Sequence, residues 1–103
     1  MNEYHVEGFD WDEGNWPKCR KHGMTKQEIE QVFLNTPAVY PDPAHSVAEE
    51  RLKAIGRTNT GRYAYVSFTL RPLAAAGALI RPVSARYMHE REIKKYERQT
   101  REQ

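Results

Sequence analysis

The sequence predicts an α+β fold: two N-terminal helices, a small, mostly antiparallel sheet and a C-terminal helix. Three observations carry that reading. Thr25-Lys-Gln-Glu28 is a capping box opening a helical pattern. From Arg62 the residues alternate, with Ala64, Val66, Phe68 and Leu70 on one face and Tyr63, Tyr65, Ser67 and Thr69 on the other. That period of two in aromatic and β-branched residues belongs to a strand half buried against a core. Met88 to about Arg101 is rich in long charged side chains with a thin apolar side, Ile93 and Tyr96, as in a weakly packed surface helix. At 103 residues the chain forms a single domain, 1–103, with one modest core.

Each element has its own justification. Residues 1–7 carry no firm pattern, and the first of them are expected to be mobile. Gly8 to Asp12 reads as a short strand or extended arm, with Phe9 and Trp11 pointing the same way into the core. A helix is expected from Asn15 to His22. Asn15 serves as N-cap, and Pro17 falls in the first turn, where its missing N–H costs little. Trp16 and Cys19 share the core face, and Gly23 suits the left-handed position past the end. In the second helix Met24 and Ile29 are spaced for a hydrophobic staple, and Ile29, Val32 and Phe33 form the buried stripe. Asn35-Thr36-Pro37 ends it, because a residue preceding proline resists the α region.

Ala38-Val39-Tyr40 reads as a strand and Pro41 to Ser46 as a loop. Ser46-Val-Ala-Glu49 offers a second capping box, and the following residues favour helix by propensity. The turn at Thr58-Asn-Thr-Gly61 nevertheless requires a strand leading into it, so Glu50–Arg57 is expected to be extended. Pro72 and Gly77 bracket a loop, and Ala78 to Ala85 reads as the last strand. Pro82 has no donor, so that strand lies at an edge or carries a bulge. In the C-terminal helix, Glu90–Lys94 and Glu97–Arg101 are favourable i,i+4 pairs.

Charge is divided unevenly. Residues 1–50 hold four Lys/Arg against ten Asp/Glu, a formal −6; residues 51–103 hold twelve against four, a formal +8. An arginine-rich basic half suits a polyanion, since the guanidinium fork grips phosphate with two hydrogen bonds; the two halves could equally pair with each other. The longest apolar run, Leu73 to Ile80, is too short for a membrane span, and no signal-peptide pattern is present, so a cytoplasmic location is expected. One cysteine, Cys19, excludes an intrachain disulfide and a cysteine metal cluster. No phosphate-binding glycine motif or serine/cysteine triad signature occurs.

Lys21-His22-Gly23 is the best candidate for chemistry. A histidine at a helix C-terminus either caps the helix or, with its charged form favoured by the dipole, serves as acid or base. Arg57 and Arg62 flank the hairpin turn, where arginines are ordinarily solvated. With Arg81 and Arg86, and with Arg71 as a further candidate, they could converge on one phosphate. Arg81 and Arg86 are five apart and face opposite sides unless a bulge intervenes. Tyr63 or Tyr65 could stack a nucleobase, or simply be half-buried sheet residues. Asp10, Asp12 and Glu13 form an acidic cluster of the kind that holds Mg²⁺ or pairs with arginine; no matching ligand is obvious downstream except Glu49 and Glu50. His5, His45 and His89 have no metal-ligand spacing, so no metal and no cofactor are expected.

Phe9-Asp-Trp-Asp12, Lys18 through Lys21-His22-Gly23, Glu49-Glu-Arg51, Ile55-Gly-Arg-Thr58, Arg81-x-x-Ser-Ala-Arg86 and Tyr96-Glu97, in that order, resemble the BrnT family. The resemblance runs from about Phe9 to Glu97. It implies a fold similar to RelE and a small ribonuclease toxin of a type II toxin–antitoxin pair that inhibits translation. The implied partners are RNA and a BrnA-like ribbon-helix-helix antitoxin, with DNA reached only through the antitoxin and no membrane. Family roles carry over to Lys21, His22, Arg57, Arg81 and Arg86 as catalytic residues; Arg62, Tyr63 and Arg71, from the reading of the residues themselves, are the expected RNA contacts. Pro17, Pro82 and Ala74-Ala-Ala-Gly77 depart from the pattern, and Pro82 bears on the aim of Arg81. Rival readings are a non-catalytic binding module, a metal-dependent nuclease built on Asp10, Asp12 and Glu13, and a toxin that keeps its antitoxin but no longer cuts.

Overall fold

The computed structural model describes residues 5–101. Five strands and three helices follow in order: β1 His5–Phe9, α1 Trp16–Cys19, α2 Lys26–Leu34, β2 Ala38–Pro41, β3 Leu52–Arg57, β4 Tyr63–Pro72, β5 Gly77–Tyr87 and α3 Glu90–Arg101. The strands form one sheet in the order β1-β5-β4-β3-β2. β1 runs parallel to β5, and every other pair is antiparallel. The architecture is thus α+β with a mixed sheet, as the element pattern predicts.

Several boundaries differ. Residues 1–4 lie outside the described residues, while His5, Glu7 and their neighbours belong to β1, because the strand finds backbone partners at Gly77–Ile80. The first helix is a single α turn continued by a 3-10 turn over Arg20–His22. Asn15 stands at its N-cap position but makes no side-chain cap. Its buried amide instead donates to the carbonyls of Asp10 (2.9 Å) and Pro82 (2.8 Å) and accepts from the Asp12 N–H (2.8 Å). Thr25 and Glu28 form the expected capping box, and Met24 and Ile29 are both buried. The second capping box does not form. Ser46 Oγ donates to the Asp42 carbonyl and accepts from the Arg51 N–H, closing the loop before β3. Glu90 and Lys94 pair at 3.3 Å, but Glu97 reaches Arg57 (3.9 Å) rather than Arg101.

One sheet face packs on the N-terminal helices. Ala54, Ala64, Val66, Phe68, Ile80 and Ala85 meet Cys19, Met24, Ile29 and Val32 in one cluster, with Phe9, Trp11, Trp16 and Phe33 at its margin. The alternation on β4 dictates this: Ala64, Val66 and Phe68 are buried on this face, while Thr69, on the other, is buried as well.

The opposite face carries the polar and cationic residues, and its layout depends on one bulge. Ser67 pairs with Ser84 but Phe68 pairs with Pro82, so Val83 is an extra residue in β5. Pro82 therefore sits in a central strand at a bulge, the second of the two options its missing N–H allows. The bulge brings Arg81 opposite Thr69 and Arg86 opposite Tyr65, both on the same face of β4. β1 accompanies only Gly77–Ile80, and α1 with the turn after it contacts the rest of β5. α3 folds back over this face without burying any residue of its own.

Candidate active-site cleft

His22, Lys53, Tyr65, Ser67, Ser84, Arg86 and Glu92 line a cleft of about 380 Å³ on the second face. Five elements deliver them. Register places Lys53, Ser67 and Ser84 in one row and Tyr65 and Arg86 in the next. His22 arrives from beside β5 at the end of the 3-10 turn, which stops at Gly23 with φ of +90°. That left-handed backbone is one glycine adopts without penalty. Glu92 is supplied by the first turn of α3.

Arg86 is held on several sides. Its Nη1 and Nη2 donate to the two Glu92 oxygens, each at 2.8 Å, and Nη1 also donates to the Tyr87 carbonyl at 3.2 Å. Its guanidinium lies 4.7 Å from the Tyr65 ring centroid, and Lys53 Nζ lies 5.4 Å from the same ring. The Arg86 bonds and the His89 N–H pull the Glu92 carboxyl down to about 2, so it is ionised throughout the neutral range. Burial, then the Glu92 charge, pushes the Tyr65 hydroxyl up. The cleft thus combines a preorganised cation, a fixed anion, an amine, an imidazole and two serine hydroxyls.

The other sequence candidates are distributed elsewhere. Arg57 lines a second cleft with Asn35, Asn59, Tyr63 and Tyr96. Its Nη2 donates to the Tyr63 hydroxyl at 2.6 Å, and its guanidinium lies 4.4 Å from that ring. Arg57 and Arg86 lie on the strands either side of β4, opposite Tyr63 and Tyr65 respectively, and line different clefts. Arg81 clamps Asp10 (3.2 Å) and Asp12 (3.0 Å), with Arg71 at 3.7 Å from Asp10. This arrangement engages Asp10 and Asp12, two of the three carboxylates of the acidic cluster. Arg62 stacks 3.4 Å over Tyr87, whose hydroxyl donates to Glu28. Lys21 is exposed and does not line the His22 cleft.

Sequence reasoning missed Lys53, Ser67, Ser84 and Glu92 as cleft residues. Alternation along β3 puts Lys53 on the face of Arg57 and could have found it. Glu92 had no such signal, because its partner lies on another element and only the course of α3 brings them together.

No curated protein matches the chain. Residues 11–92 match the model of the BrnT toxin family, described as the ribonuclease toxin, BrnT, of type II toxin–antitoxin systems. The matched span contains every residue of the His22 cleft, from His22 to Glu92. Covering most of the sequence, that match places this chain in the BrnT family of ribonuclease toxins, whose substrate is RNA and whose partner is a protein antitoxin.

Proposed function

We propose that the cleft between His22 and Arg86 cuts RNA without a metal ion, and that this cutting inhibits translation. The observation that carries the reading is that an imidazole and a guanidinium locked in place by Glu92 line one cleft. A base removes the proton of a ribose 2′-OH, and O2′ attacks the adjacent phosphorus. The bond from phosphorus to O5′ breaks, and an acid returns a proton to O5′. The products are a 2′,3′-cyclic phosphate and a free 5′-OH, with no net change in atoms or charge beyond that proton's transfer. His22 takes one of the two proton-transfer roles and Lys53, the amine of the cleft, the other. Each contributes roughly 10²–10⁴ in rate. Arg86 stabilises the charge that develops on the phosphorane oxygens, an effect of roughly 10²–10³. Arg57 and Tyr63 hold a neighbouring part of the RNA, and Lys21 and Arg62 add charge at the rim.

The order of strands in a mostly antiparallel sheet, with the two N-terminal helices packed on one face, supports reading the fold as RelE-like. The basic C-terminal half supports an antitoxin partner that is acidic where it touches, by electrostatic complementarity; a BrnA-like ribbon-helix-helix protein is the form we assign it.

RNA cleavage by antitoxin-free protein in excess chelator tests the mechanism, beside His22→Ala and Arg86→Ala. Activity that survives chelator and falls at least about tenfold in each variant supports it. Activity abolished by chelator transfers the chemistry to a metal and overturns it.

A further inference from the structure

We propose that Lys18, Arg51 and Arg81 form a second phosphate subsite, which holds a flanking phosphate of the RNA beside the cleavage cleft. The proposal rests on the ribonuclease reading of that neighbouring cleft. The three cations come from α1, the approach to β3, and β5. They line a separate cleft of about 270 Å³ with Gly14, Asn15, Val83 and Ser84. Ser84 also lines the His22 cleft, so the two are contiguous.

Charge at this corner is not balanced internally. Arg81 and Arg71 meet Asp10 and Asp12, but neither Lys18 nor Arg51 forms an ion pair among the described residues. Two polar atoms are also left unpaired here. Arg51 Nε and Thr69 Oγ1 are both buried with no hydrogen-bond partner. The two belong to one row of the sheet: Thr69 pairs with Arg81, and extending the register one step beyond Leu52–Phe68 brings Arg51 opposite Thr69. Burying part of a guanidinium without a partner is costly unless an anion compensates the charge. A phosphate at the part of Arg51 that lines the cleft does so, with Lys18 as a second donor and Arg81 fixed by its carboxylates.

The spacing makes this a flanking subsite rather than a share of the reacting phosphate. Thr69 and Tyr65, opposite Arg81 and Arg86, are four residues apart on β4. At a rise of about 3.4 Å per residue that is ~14 Å, beyond the reach of one phosphate group.

Kinetics on a dinucleotide and a hexanucleotide RNA test the proposal in Lys18→Gln and Arg51→Gln, with Arg51→Lys to keep the charge if the glutamine variant fails to fold. Lys18 is exposed, so its variant folds regardless. The kcat/KM preference for the hexanucleotide should fall about tenfold in each, through KM. The salt slope of hexadeoxynucleotide binding should become shallower by about 0.7 for each phosphate left unneutralised. An unchanged length preference beside intact wild-type cleavage overturns the subsite and leaves the ribonuclease reading standing. If the wild type cleaves neither RNA, that reading fails, and titration with inorganic phosphate decides the subsite alone. A saturable shift of the Arg51 Nε–H resonance sustains it, and no shift overturns it. Weakened antitoxin binding with unchanged RNA preference assigns the corner to the antitoxin and also overturns it.

Discussion

Arg86 and Glu92 meet fork to fork, two N–H···O bonds of 2.8 Å joining the last long strand to the first turn of the C-terminal helix. The pair is half-buried and additionally satisfied, Arg86 by the Tyr87 carbonyl and Glu92 by the His89 N–H. Its geometry fixes the guanidinium, and with it the direction from which a phosphate can be approached.

Glu92 is therefore a positioning residue in this reading. Glu92→Gln leaves the cleft one charge more positive but frees the Arg86 fork. The expected result is a kcat lower by about tenfold, from lost preorganisation, with KM unchanged or lower because the phosphate is attracted more strongly. A purely structural role would instead lower the amount of active protein without dividing kcat from KM.

The same pair sets an acid limit. The folded Glu92 carboxyl is depressed to about 2 from an ordinary value of 4.5. A depressed carboxyl stabilises the folded state fully above the ordinary value, and that stabilisation is lost as pH falls through the folded value. The difference in melting temperature between wild type and Glu92→Gln should be constant above about pH 5. It should shrink as pH falls from 4.5 towards 2, as thermal unfolding followed by circular dichroism would record.

Asn15 joins the N-terminal arm to the bulge in β5 through three hydrogen bonds at 1% exposure. Asn15→Ala leaves two carbonyls and an N–H without their partner and should cost ~2–4 kcal/mol. Asn15→Asp should cost at least as much, since a carboxylate faces the same two carbonyls. Urea unfolding should show a lower midpoint at unchanged slope.

Gly56 lies where α2 crosses the sheet. A Cβ there would come within 3.0 Å of Pro37 Cβ and 3.2 Å of both Val32 Cγ1 and the Val32 carbonyl oxygen. A backbone atom cannot yield as a side chain can, so Gly56→Ala should destabilise by ~1–3 kcal/mol. The measurement is again the unfolding midpoint. An alanine variant as stable as wild type would mean that α2 shifts to admit the methyl group.

Local chemistry made much of the fold legible. The Thr25 capping box, the Gly23 helix stop and the even-odd alternation of β4 depend on residues within a few positions of one another, and all stand as read. Where neighbours in space are distant in sequence, local reading failed. Asn15 looked like a helix cap because cap preference is a local rule, yet its amide serves carbonyls of Asp10 and Pro82. Glu97 looked like a partner for Arg101 by spacing, yet it faces Arg57.

The sequence by itself determined the element order, the buried face of the sheet and, through the resemblance that the family match bears out, the class of protein. It also named His22 and Arg86, which line one cleft. Only the tertiary structure decided which arginines share a space. The bulge at Val83 turns Arg81 and Arg86 to the same face, the order of strands separates Arg57 from Arg86, and the return of α3 brings Glu92 to the guanidinium. The physical reason is that side-chain direction along a strand alternates by a fixed local rule, whereas register, bulges and helix crossing are set by the packing of the whole chain.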